Sequence, residues 1–444
     1  MMHRSLFATS VRTNLDNVKQ SHCSLVPRIC LRLLREGALL GFCFDARKQK
    51  LCGYSLHARS FRAYCGEDGK KQGARGSAAA LKEQIAQLRK DLHATPWKTL
   101  SRVLVENDVL QLPWKGPDWK TLPEPSPEEM SYMAGFFDGD GCVTEKSNLS
   151  GCRLAVSQAF DASAVLVRYA NLFGGTVEVR SQGVGLQKPV LNWRLEGPGC
   201  KHVSNLLATA SVVKHKQLAL AAKWPKDTDG RKLAKHKLRG WKHGSTDTQT
   251  HGCVSWSYFA GFFDAEGCIK ITTTGNLMLT ICQKREAILN VIKVFLADQS
   301  IHSELYNCRT HGCLSIHRRG DCEAVLQRMQ HAGLLVKAQH AEIALNTEKT
   351  GPSRAREQLG LLVGNQSFGK RLDEAGCLRA QEIRRMRQQV WYLKSRGQED
   401  AAAARLLAAQ ELVAKHDLLK LKAERDMLLR HAAFIQRLSG SMWE

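Results

Sequence analysis

The chain lacks any uninterrupted apolar run long enough to cross a bilayer as a helix, so no membrane partner is expected. It is also short of acid. Against 65 Lys and Arg it sets only 42 Asp and Glu, for a formal net charge of +23 over 444 residues. A polyanion is therefore the first partner to expect. Cysteine spacing is missing too: the 15 cysteines are odd in number and follow no regular disulfide pattern, which fits a reducing compartment. Cys308-x4-Cys313-x3-His317 comes nearest to a zinc motif, but no further ligand completes the set at a convincing spacing. The first 65 residues lack the clean apolar core and cleavage site of a secretory signal. They hold eleven Lys or Arg against Asp16, Glu36 and Asp45. Two readings stand for this segment: an organellar transit segment, chloroplast or mitochondrial, or an extension with no address.

What the chain has is a sentence said twice. Residues 132–142 read Tyr-Met-Ala-Gly-Phe-Phe-Asp-Gly-Asp-Gly-Cys, and residues 258–268 read Tyr-Phe-Ala-Gly-Phe-Phe-Asp-Ala-Glu-Gly-Cys. Each is an apolar helix with small residues in its middle and a carboxylate at its end. Close packing at Ala134–Gly135 and Ala260–Gly261 would bring Asp140 and Glu266 together. Two adjacent carboxylates are costly unless a cation lies between them. The match continues downstream. Gln158 ends Leu-Ala-Val-Ser-Gln and Gln283 ends Leu-Thr-Ile-Cys-Gln, each in an alternating, strand-like stretch. Lys214 and Lys337 each follow the second helical run of their half. The separations between copies are 126 for the acids (140 to 266), 125 for the glutamines (158 to 283) and 123 for the lysines (214 to 337). A duplicated unit of that length is a pseudo-dimer and not a solenoid of short repeats.

On Met133–Gly141 and Phe259–Gly267, with the glutamines and lysines in step, residues 126–350 resemble the LAGLIDADG homing endonucleases in their single-chain, two-motif form. The resemblance implies an α+β fold with one αββαββα unit per half, motif helices packed at a pseudo-twofold axis, and two antiparallel sheets forming a β saddle over duplex DNA. It implies metal-dependent hydrolysis of double-stranded DNA at a long asymmetric site. The catalytic set carried over is Asp140, Glu266, Gln158, Gln283, Lys214 and Lys337. Asp140 and Glu266 are the metal ligands, and oxygen donors suit Mg²⁺ or Mn²⁺. A monomer acting as a pseudo-dimer is expected. Glu266 reaches one methylene further than Asp140, and Lys284 follows Gln283 where Ala159 follows Gln158, so the halves are not chemically equal. Asp138 and Asp264 read as helix-end hydrogen-bonding groups, and Cys142 and Cys268 as small strand residues.

Sequence reading should come from strand alternation. Thr144, Lys146 and Asn148 in one half, and Lys270, Thr272 and Thr274 in the other, would face DNA, with Val143 and Ile269 facing the core. Arg153, Arg180, Arg194, Arg309 and Arg318 are candidate guanine or phosphate contacts.

The chain divides into a basic extension (1–75), a helix with a Trp- and Pro-marked lead-in (76–125), half 1 (126–222), a basic linker (223–252), half 2 (253–350) and a helical C-terminal extension (351–444). Ser126, Pro127 and Glu129 form a capping box for the first motif helix, and Ser255 caps the second. Residues 214–243 hold ten Lys or Arg against Asp227 and Asp229, which suits a linker that crosses a phosphate backbone. Leu407, Ala414, Leu418, Leu421, Leu428, Ala432 and Ile435 repeat at about 3.5 residues, which predicts a helical hairpin packed on itself or on the core. Two further readings stay open on the same fold. The basic segment 374–396 suits an intron-RNA-binding maturase or organellar splicing factor. A non-catalytic DNA-binding protein would keep the acids for helix packing alone.

Overall fold

The computed structural model describes residues 78–105, 108–243, 252–272, 274–362, 372–438 and 443; the basic extension 1–75 lies outside them. The first helix, α1 (Ala78–His93), buries Leu81, Ile85, Leu88 and Leu92 on one face. The lead-in follows as β1 (Arg102–Val105), β2 (Asp108–Gln111) and β3 (Trp114–Lys115). Trp97 is buried, donates Nε1–H to the Gly185 carbonyl at 2.8 Å and packs edge-on against Phe160. Trp119 lies against His202.

Half 1 opens with the motif helix α2 (Pro127–Asp140). Its capping box is complete: Ser126 Oγ accepts from the Glu129 amide at 3.2 Å, and the Glu129 carboxylate accepts from the Ser126 amide at 3.3 Å. Then come β4 (Gly141–Glu145), β5 (Cys152–Ala159), α3 (Ser163–Phe173), β6 (Thr176–Ser181), β7 (Val190–Glu196), α4 (Gly197–Ala210) and α5 (His215–Ala222). Within the basic linker Thr228–His243 form α6, with Ala234 and Leu238 buried, and 244–251 lie outside the described residues.

Half 2 repeats the order: α7 (Trp256–Glu266), β8 (Gly267–Ile271), β9 (Leu277–Gln283), α8 (Glu286–Asp298), β10 (Glu304–Asn307), β11 (Gly312–Ile316), α9 (Arg319–His331) and α10 (Ala338–Leu345). Ser255 caps α7 by accepting from the Tyr258 amide at 3.1 Å. Each half is thus αββαββα with one further short helix. Beyond it lie α11 (Thr347–Thr350), α12 (Pro352–Leu362), α13 (Glu374–Ser395) and α14 (Glu399–Arg437).

Both large sheets are antiparallel. Half 1 has the order β3-β6-β7-β5-β4, so the lead-in adds an edge strand, and half 2 has β10-β11-β9-β8. Alternation sorts the two faces. Leu154, Val156, Leu191, Trp193 and Val177 point into the first core, and Ile269, Leu279, Ile281 and Leu314 into the second. Val143 and Ile269 face the core as their strand phase requires.

The two motif helices cross at their small residues. A Cβ on Gly135 would stand 2.1 Å from the Tyr258 carbonyl oxygen, and one on Gly261 would stand 2.0 Å from that of Tyr132. Only glycine permits backbones this close. The α13–α14 hairpin packs on itself at its turn end, and α14 then runs against α1, where Arg89 pairs with Glu424 at 2.6 Å. Its seam differs in part from the periodic stripe. Leu428, Ala432 and Ile435 are buried, but Leu407 and Ala414 are exposed, and Ala402, Ala409 and His416 take the buried positions of the N-terminal half. A 3.5-residue period fits several neighbouring stripes on so long a helix, and the partner α13 chose the one with small residues.

Candidate active site

The acids stand at the last residue of each motif helix, Asp140 on α2 and Glu266 on α7. Because the helices touch along their length, the two carboxylates share one electrostatic environment. Burial holds the Asp140 carboxyl above its ordinary range, against the lowering effect of Lys337, Lys214 and the Gln158 amide. Burial also raises Glu266, and the charge of Asp140 raises it further. Gln158 is the penultimate residue of β5 and donates Nε2–H to Asp140 Oδ2 at 2.5 Å. Gln283, at the equivalent end of β9, hydrogen-bonds Glu266. Both glutamines occupy the core phase of their strands, which turns them toward the helix ends.

Lys214 and Lys337 are the residues immediately before α5 and α10. Lys214 donates from Nζ to the Phe137 and Gly139 carbonyls at 2.7 and 3.0 Å. Lys337 donates to the Asp264 carbonyl. Each ammonium thus occupies the negative end of a motif helix, where a cation is favoured. Burial lowers both lysine pKa values, opposed most by Asp138 at Lys214 and Asp264 at Lys337 and less by Asp140 and Glu266 at each. The structure therefore brings all six residues of the sequence-derived set into one cluster fed by both halves.

Asp138 and Asp264 do more than finish a helix. Asp138 accepts from the Ser211 hydroxyl at 2.6 Å and from the amides of Val212, Val213 and Lys214 at 2.7, 2.8 and 3.0 Å. Asp264 accepts from the amides of Leu335, Val336 and Lys337 at 2.7, 3.0 and 2.7 Å. Each aspartate fixes the short segment that ends in the lysine.

The outer face of the first sheet carries Thr144, Arg153 and Arg194, but the arginines are already paired. Arg153 Nε lies 2.5 Å and Lys146 Nζ 2.9 Å from Glu196, and Arg194 Nε lies 3.2 Å from Glu178. Arg180 donates to Ser157 Oγ at 2.8 Å, and Ser157 donates to Asn192 at 2.9 Å. Ser157 and Asn192 escaped the sequence reading because alternation was applied only to the strand after each motif; the same period in β5 and β7 would have found them. Asn148 spends its side-chain oxygen on the Ser150 amide and hydroxyl within its turn. In half 2, Lys270 is exposed on β8, while Thr272 and Thr274 hydrogen-bond each other at 2.8 Å in the β8–β9 turn. Arg309 is exposed in the β10–β11 turn. Arg318 is exposed at the N-cap of α9, past the end of β11 and off its alternation.

Cys142 and Cys268 are exposed strand residues. The zinc motif does not assemble. Cys313 faces Cys282 with sulfurs 2.8 Å apart, and among the described residues no group of three or more His, Cys, Asp or Glu could hold a metal ion. The linker helix α6 flanks the cluster. Arg239 pairs with Glu145 of β4 at 2.9 Å, Lys242 Nζ approaches Cys142 Sγ at 3.6 Å, and Arg285 of half 2 donates to the Trp241 carbonyl.

Solved structures of LAGLIDADG meganucleases and homing endonucleases are similar to this chain. I-SmaMI, bound to uncleaved target DNA in the presence of calcium ions, is 11% identical, with 52% of this chain and 97% of that chain covered and a TM-score of 0.40. I-AabMI bound to uncleaved DNA is 16% identical (52% and 96% covered, TM-score 0.38). I-GzeII in complex with its DNA target is 9% identical (52% and 96% covered, TM-score 0.39). No protein-family model matches the chain, and no curated protein matches it in sequence.

Proposed function

We propose that the chain is a site-specific, metal-dependent endonuclease acting on double-stranded DNA. The observation that carries this reading is the joint cluster: two carboxylates at packed helix ends, each with its own glutamine, and two lysines that feel both acids. Phosphodiester cleavage needs an activated water, a neutralised phosphate and a stabilised leaving oxygen. Asp140 and Glu266 fit a hard divalent cation, Mg²⁺ or Mn²⁺, which binds through one or two carboxylates and completes its shell with water and substrate phosphate. Bound there, the cation supplies Lewis-acid neutralisation of the phosphate and a more acidic water. The protein's own part is positional. Gln158 and Gln283 orient the acids. Lys214 and Lys337 bring their ammonium groups beside the acids while donating to helix carbonyls, Lys214 to two and Lys337 to one. Each acid serves one strand of the duplex.

Duplex recognition falls to the outer faces of the sheets and to α6. The exposed Lys232 and Lys237 of α6 supply charge for phosphate contacts beside half 1. Arg153 and Arg194 must leave Glu196 and Glu178 to reach DNA, so the glutamates restrain indiscriminate binding. The halves differ at these positions, which implies an asymmetric target.

The test is to incubate the full chain with a randomised duplex library and Mg²⁺ and to sequence the cut ends. Enriched, staggered ends that vanish with a chelator are expected. A library left intact would end the nuclease reading.

A second reading, intron-RNA binding, is favoured by α13. It exposes Trp391 (74%) and Tyr392 (48%) beside Arg387, Lys394 and Arg396, a combination suited to stacking on unpaired bases. Unchanged RNA retention by Trp391→Ala/Lys394→Glu would rule α13 out.

A further inference from the structure

The repeated motif begins with a tyrosine in both copies, and each tyrosine reaches across the pseudo-twofold axis. Tyr132 is buried on α2 and donates its hydroxyl to Asp264 Oδ2 at 2.6 Å. Tyr258 is buried on α7 and donates to Asp138 Oδ2 at 2.7 Å. The accepting aspartates are the two that hold the backbone leading into Lys214 and Lys337. Asp138 binds the amides of residues 212–214, and Asp264 binds those of residues 335–337. Each lysine in turn lies on the carbonyls of its own motif helix. The chain of contacts therefore runs from one half's tyrosine, through the other half's aspartate, to that other half's lysine.

We propose that Tyr258 is the positioning residue for Lys214, and Tyr132 the positioning residue for Lys337. Each half's lysine is thereby set by the opposite half. The physical reason is the aspartate's demand for donors. It is a buried anion, and it keeps one fixed orientation only while its oxygens are saturated. Oδ2 of Asp138 serves the Tyr258 hydroxyl and the amides of Val212 and Val213 together. Oδ2 of Asp264 serves Tyr132 and the amides of Leu335 and Val336 together. Removing the hydroxyl takes one donor from Oδ2 and loosens the carboxylate's hold on the amides that share that oxygen. The tie also explains why a pseudo-dimer would keep tyrosine at this position: a half with no opposite partner would have an incompletely held lysine segment.

The catalytic consequence rests on the nuclease reading, whereas the positional claim does not, and two measurements on the full chain separate them. The first is backbone hydrogen exchange in Tyr258→Phe and Tyr132→Phe, which keep the ring packing and remove only the hydroxyl. Tyr258→Phe is expected to speed exchange of amides 212–214 by on the order of tenfold, the loss of one hydrogen bond to a charged buried acceptor, with amides 335–337 unchanged. Tyr132→Phe should do the reverse. Equal acceleration in both segments, or none in either, would overturn the proposal, because a mere interface contact loosens both sides alike. The second measurement is the rate of nicking of each strand of a cleavable site. The strand slowed by Lys214→Ala should also be the one slowed by Tyr258→Phe, and by a smaller factor. Slowing of the Lys337→Ala strand, or of both strands equally, would refute it. A wild-type chain that cuts no DNA would remove the nuclease reading and leave the exchange result to decide the tie.

Discussion

Adding one methyl group at the centre of the motif-helix pair should cost more than it gains, and the structure sets the size of the effect. In Gly135→Ala the new Cβ would lie 2.1 Å from the Tyr258 carbonyl oxygen, and in Gly261→Ala 2.0 Å from that of Tyr132. The shortest comfortable carbon–oxygen approach is about 3.3 Å, so the helices must part by roughly 1 Å. The obstacle is backbone on both sides and cannot swing away. Overpacking of this kind costs about 1–3 kcal/mol. Alanine's helix preference over glycine returns about 0.8–1.0 kcal/mol. The net loss is expected at up to about 2 kcal/mol, or up to roughly 8 °C in Tm for a unit of this size. Gly240→Ala is the matched control, because nothing lies within 4 Å of its Cβ position on α6. The same chemical change there should stabilise by about 0.5–1 kcal/mol. Thermal unfolding of the three variants reads the effect directly. If Gly135→Ala melts at or above wild type, in step with Gly240→Ala, the close helix crossing is wrong. On a cleavable site the same 1 Å displacement of the acids should lower the cutting rate by up to about 10²-fold.

Other outcomes follow from the site's electrostatics. Burial raises the Asp140 and Glu266 carboxyls, so the native state holds their protons more tightly than the unfolded chain. Their ionisation therefore costs stability as pH rises through and above the ordinary carboxylate range near 4. The stability advantage of Asp140→Asn/Glu266→Gln over wild type should be largest at neutral pH and narrow as pH falls toward 4; calorimetry showing the opposite trend would contradict the burial argument. At Glu196, burial raises the carboxyl, but hydrogen bonds and charge from Lys146 and Arg153 outweigh it and hold it below its usual range. That pairing stabilises above the unfolded pKa and is lost as pH falls through the lower folded value. Glu196→Gln should cost at most about 1 kcal/mol at neutral pH, while freeing Lys146 and Arg153 to bind DNA more tightly. The salt dependence of binding should steepen by about one to two phosphate contacts, and an unchanged slope would show that these side chains stay off the backbone. Lys232→Glu/Lys237→Glu on α6 should weaken binding of all duplexes alike; loss confined to one sequence would assign α6 to base reading instead.

Much of this was legible in the chain because the duplication repeats chemistry at matched spacing. The acids, glutamines and lysines recur in step, and helix order together with strand phase delivers them to one end of the packed pair. The capping box at Ser126 and Glu129 was legible because all its partners lie within one turn. What stayed hidden depends on distant contacts. Tyr132 and Tyr258 were visible as repeated letters, yet their partners lie 132 and 120 residues away in the chain, and a tyrosine within an apolar helix reads as core. Arg153 and Arg194 looked like open DNA contacts because Glu196 and Glu178 come beside them only through strand pairing. The α14 seam went partly astray for a related reason. Periodicity gives the width of an apolar stripe, and the neighbouring helix decides which edge of it is buried. Cys313 was drawn toward Cys308 and His317 by sequence spacing, whereas the β9–β11 register sets it opposite Cys282.

The most direct test of the joint site is strand cleavage of a selected target by wild type, Asp140→Asn, Glu266→Gln and the double variant, with binding measured in parallel. The account predicts that wild type cuts both strands with Mg²⁺, that each single variant loses rate, and that the double variant binds the duplex undiminished and leaves both strands intact. Cutting by the double variant at the wild-type rate would contradict it.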